Sequence, residues 1–217
     1  MAGRDTSRVR QMLFWGLPLV AFGATWIYWP VVQGTGLAFP IYLLSVPFLF
    51  ALVLVPMTTA YLRLWSWKLP LFHLAFLWAA YSALGILIVS DTIAAPLSVM
   101  TIIKSALFPA LLGGGIGSLI DIVGIDEGLL ELHDLSPELG PVRGVLSYSF
   151  KFFGTFSAIY GLVAKMAYSW LVERGATGWL PALILGTSAV LCLPFMVHFL
   201  LFGRRRRPAR ELSVDVD

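Results

Sequence analysis

Blocks of about twenty residues with little or no charge recur along this chain, and a block of that length is what an α-helix needs to cross the hydrocarbon core of a bilayer. Six such blocks, at about 12–32, 39–61, 69–90, 93–113, 144–171 and 179–202, read as transmembrane helices. Charged residues make up 12% of the sequence, roughly half the share with which a soluble domain dresses its surface. A membrane barrel would instead show segments of about ten residues with alternating character, and no such pattern occurs. The expected class is an all-α integral membrane protein, a six-helix transmembrane bundle forming a single membrane domain over residues 1–217. An acidic cytoplasmic loop is expected over 114–143 and a basic tail over 203–217.

Orientation follows from the basic residues. With the N-terminus in the cytoplasm, the inner segments hold Arg4, Arg8, Arg10, Arg63, Lys68, Arg143, Arg204, Arg205, Arg206, Arg207 and Arg210, while the outer segments hold Arg174. Such a bias marks the cytoplasmic side, and six spans place both basic ends there. The first apolar block is too long for a signal-peptide core and ends in Trp26, Tyr28, Trp29 and Pro30 rather than a small-residue cleavage site, so it reads as an uncleaved span. The expected location is the plasma (inner) membrane of a bacterial or archaeal cell. The net charge of +3 does not point to nucleic acid, because the basic residues sit at the ends of apolar blocks. The lipid bilayer is the expected partner, together with other membrane subunits or further copies of the chain.

Proline occurs inside the blocks at 18, 47, 56, 96, 109 and 194. Each removes a backbone donor, and within a bilayer the carbonyl left over must find a partner on another helix or in water. Trp78 is set mid-span and is expected to pack against protein. The run Gly113, Gly114, Gly115 and Gly117 lacks the Lys-Ser/Thr of a phosphate-binding loop and reads as a flexible helix end or re-entrant bend.

Three features carry the chemistry that can be read from sequence. Lys104 falls near the middle of the block 93–113, where a lysine must snorkel, pair or line water. The block 144–171 sets Ser147, Lys151, Gly154, Ala158, Gly161, Lys165 and Tyr168 along one face, opposite Phe152, Phe156, Ile159 and Val163. Gly154, Ala158 and Gly161 are expected to pack closely on another helix. Lys151 and Lys165 lie within about 40° of each other around the axis and, with Lys104, would form a positive lining for an anionic solute. In the loop 114–143, Glu127, Glu131, Asp134 and Glu138 keep helical spacing and form an acidic stripe suited to docking a basic partner. No catalytic constellation, cofactor motif or metal-ligand spacing emerges, and the single Cys192 excludes an internal disulfide. The leading functional expectation is therefore transport: a small transporter, or the membrane subunit of a multi-component one. A structural or accessory subunit of a larger membrane complex is the alternative, and a lipid-modifying membrane enzyme a third.

Overall fold

The structure, a computed structural model, describes residues 8–57, 65–132 and 140–203. Among the described residues, seven helices and two short strands follow one another along the chain. Helix α1 (Arg8–Val32) carries π-helical turns at Met12–Gly16 and Tyr28–Val32. It is followed by α2 (Ala38–Pro56), β1 (Trp65–Trp67), α3 (Leu71–Ile88) and the short α4 (Ser90–Ala94). Then come α5 (Val99–Asp126), β2 (Leu130–Leu132), α6 (Gly140–Tyr168) and α7 (Leu180–Gly203).

Among the described residues, five helical segments are long and apolar enough to cross a membrane: α1, α2, α3, α5 and Thr177–Val197, which takes in most of α7. Helix α6 lies outside that set. It carries Lys151 and Lys165 together with several hydroxyl groups, and it packs along α5 and touches α2, α3, α4 and α7. Phe152, Phe156, Tyr160, Ala164 and Tyr168 of α6 are buried in one core with Tyr42, Val46, Phe50 and Leu54 of α2 and Leu191 and Phe195 of α7. The aromatic face of α6 is thus buried as well as the small-residue face, which explains how a helix with two lysines and few aliphatic residues keeps its place.

The expected fourth span, 93–113, has different bounds. Ala95 is extended, with ψ 154°, because the residue before Pro96 is pushed out of the helical region. Ser98 then restarts the chain with a capping box, its hydroxyl accepting from the Thr101 amide while the Thr101 hydroxyl accepts from the Ser98 amide. From there α5 runs unbroken through Gly113, Gly114, Gly115 and Gly117, so the expected helix end or re-entrant bend at these glycines is corrected. The true stop is Gly128, with φ +64°. The Leu129 amide bonds the Gly124 carbonyl and the Gly128 amide bonds that of Ile125, the two bonds of a Schellman motif.

The acidic stripe is also corrected. Glu127 caps α5 and Glu131 lies in β2, which pairs antiparallel with β1, Ser66 opposite Glu131. Alternating apolar and polar residues in Leu130-Glu131-Leu132 suit a strand as well as a helix turn, and the Gly128 stop forces the former. Asp134 and Glu138 lie outside the described residues.

The prolines show where the freed carbonyls go. Pro47 cannot donate to Leu43, and the Tyr160 hydroxyl of α6 donates to that carbonyl at 2.6 Å. Pro18 leaves the preceding turn of α1 short of a donor, and Tyr81 of α3 donates to Leu13 at 2.5 Å while His73 bonds the Phe14 backbone. Helix breakers are thus converted into ties between helices. Tyr160→Phe should cost about 1–2 kcal/mol, the upper range for such bonds in membrane proteins. The same change in a Pro47→Ala background should cost clearly less, since an alanine at that position supplies its own amide. Unfolding in mixed detergent measures both, and equal costs would contradict this account.

Candidate functional site

Helices α5 and α6 form the tightest seam of the molecule, running antiparallel. A methyl group built on Gly161 would run into the Ser105 carbonyl, which Pro109 has deprived of its amide donor, and into the Pro109 ring. One built on Gly113 would strike Ser157, one on Gly117 would strike Phe153, and one on Gly114 would lie 3.0 Å from the Phe150 ring. From the α6 side, the corresponding position on Gly154 is 3.3 Å from the Ala110 carbonyl. Gly154 and Gly161 thus both lie against the backbone of α5. Ala158, on the same face, is half-buried.

Where this seam meets α3, the backbones diverge around a cavity of about 70 Å³. Trp78, Tyr81 and Ser82 of α3, Gly113, Ile116, Gly117 and Asp121 of α5, and Ser149, Phe152, Phe153, Phe156 and Ser157 of α6 line it. Trp67 of β1 and Leu130 of β2 close one end. Among the described residues, Asp121 is the one charged side chain on this lining. It is buried, and it accepts a hydrogen bond from the Ser149 hydroxyl at 2.5 Å. It sits about one and a half turns inside the end of α5. Two ion pairs lie near the two-stranded pair, Lys68 with Glu131 at 3.0 Å and Arg10 of α1 with Glu127 at the end of α5 at 3.6 Å. Gly124 makes room for the Trp67 ring, which lies 2.9 Å from where a methyl would stand.

The aromatic wall is itself ordered. Trp78 meets Phe156 at a centroid distance of 5.0 Å and an angle of 80°, and Phe153 at 5.0 Å and 38°. Edge-to-face and offset contacts of this kind are favourable. Trp78, set mid-span by sequence, packs against protein as expected and also faces the cavity.

The three candidate lysines are not brought together. Lys104 lies five residues after Val99, close to the start of α5 rather than mid-helix, and is exposed beside Ile103, Leu107 and Phe108. Lys151 is exposed on α6. Lys165 is buried, 1% exposed, and donates to the Ile93 carbonyl at 2.7 Å and to that of Ala95. It caps the C-terminus of α4, where a cation complements the helix dipole, and its ammonium stands 5.9 Å from the Tyr168 ring centroid. None of the three lines the cavity.

Asp121 and Ser149 do not stand out in the sequence, because Asp121 reads there as one acid of a loop. A signal does exist: extending the helix to Gly128 sets Asp121 inside a long apolar helix, short of Asp126 and Glu127 at its end, and an acid so placed marks a functional candidate. Among the described residues, no three His, Cys, Asp or Glu side chains gather to hold a metal ion. No known protein family, curated protein or solved structure matches the chain.

Proposed function

We propose that the chain is a polytopic integral membrane protein of the plasma membrane that acts as a small transporter, alone or as the membrane subunit of a larger one, with the Asp121 cavity as its binding site. The observation that carries this reading is a buried carboxylate facing an aromatic cavity inside a bundle whose outer helices are built for lipid. A carboxylate in such a place is costly to keep, and intramembrane acids mark substrate and ion pathways. Helix α6 follows α5 antiparallel along the seam, which supports a sixth crossing, and the charge asymmetry supports cytoplasmic termini. A second reading, an accessory subunit, draws on the same Asp121–Ser149 bond taken as a strut between two helices.

The readings part on access. With Cys192 replaced by Ser and a cysteine placed at Ser82, a membrane-impermeant thiol reagent should label the cavity from either face of oriented vesicles, as alternating access requires. Reporter fusions at the N-terminus and after Arg210 should both report cytoplasm. A Ser82→Cys protein closed to reagent on both faces would favour the strut, and a fusion reporting the outer face would overturn the six-span arrangement.

A further inference from the structure

We infer that the Asp121 cavity takes a methylated organic cation, a quaternary or tertiary ammonium group, as its ligand; the inference rests on reading the cavity as a binding site. Charge sets the sign. Asp121 supplies the negative charge of the lining, and Lys104, Lys151 and Lys165 all lie off it. An anion brought beside an unneutralised buried carboxylate is repelled, whereas a cation completes it.

The walls set the chemistry. Trp67, Trp78, Tyr81, Phe152, Phe153 and Phe156 line the same cavity as Asp121, and ring faces attract an ammonium group most strongly where water is excluded. Away from Asp121 and the hydroxyls of Tyr81, Ser82, Ser149 and Ser157, the lining is ring, aliphatic side chain and glycine, which offers an N–H donor no side-chain acceptor. A methylated ammonium has fewer or no donors to satisfy and presents methyl groups to the rings. The space, about 70 Å³, falls well short of the roughly 300 Å³ from which drug-sized pockets start, so the ligand is small.

The test varies charge at constant shape. Choline, its neutral carbon isostere 3,3-dimethyl-1-butanol and the anion 3,3-dimethylbutanoate are titrated calorimetrically into the full chain in nanodiscs. Choline should bind at least about tenfold more tightly than the alcohol, the scale of a desolvated cation–π site, and the anion should not bind. Asp121→Asn should remove that preference while leaving the alcohol unaffected, and Asp121→Glu, which keeps the charge, should retain it. Both variants are first checked for an unchanged elution profile, and if Asp121→Asn fails to fold, the choline-to-alcohol affinity ratio of the wild-type chain decides by itself. Equal affinity for choline and the alcohol, unmoved by either variant, would overturn the cation and leave the binding cavity standing. No binding of any probe to a protein whose Ser82→Cys form is labelled from both faces would likewise overturn the cation alone. No binding and no labelling together would remove the binding site as well.

Discussion

Gly161→Ala, a change of one methyl group, is expected to cost about 3 kcal/mol or more, at the upper end of overpacking penalties, and Gly161→Leu to abolish the folded protein. The added Cβ has no flexible neighbour to push aside. It meets the Ser105 carbonyl, a backbone atom, and the Pro109 ring, both rigid parts of α5. Relief requires α5 and α6 to move apart along the whole seam, and Gly113, Gly117 and Gly154 would lose their contacts with it. In lipid, packing of this kind replaces the hydrophobic drive between helices, so the loss is not made up elsewhere. Gly115 and Gly186 have nothing within 4 Å of the same position, and their alanine variants should unfold at the wild-type detergent midpoint. Phe156 does not serve as a tolerant control, since it is 1% exposed and lies between Phe50, Trp78 and Tyr160. A Gly161→Ala midpoint equal to that of Gly115→Ala would show that the seam is looser than described.

The close face of α6 is legible in the sequence alone, because glycine and alanine at helical spacing mean little else in a long apolar segment. The long apolar helices are legible too, since length and hydropathy define them. What the sequence hides turns on single backbone decisions. Pro96 and Ser98 shift the start of α5, which moves Lys104 from mid-helix to its first two turns. Gly128, rather than Gly113, ends it, which turns Asp121 from a loop residue into a buried one. The burial of the aromatic face of α6 depends on α2, α3 and α7 arriving from elsewhere in the chain, and no local pattern states that. The Lys68–Glu131 and Arg10–Glu127 pairs join segments far apart in sequence, which no local pattern states. Lys165 shows the same limit: its spacing suggests a lining, and its partners are carbonyls exposed by a break at Pro96 some seventy residues away.

Everything proposed for this protein depends on Asp121 and Ser149 meeting at the α5–α6 seam. In a Cys192→Ser background, Asp121→Cys and Ser149→Cys should be joined within one chain by a short bis-thiol-reactive linker at near-complete yield. Lys104→Cys with Lys151→Cys, placed about 20 Å apart by helical rise along antiparallel axes, should not be joined by the same reagent. Intramolecular linkage at 121/149 and none at 104/151 is the predicted result. The absence of linkage at 121/149 in folded protein, or its appearance at 104/151, would contradict the seam and the cavity built on it.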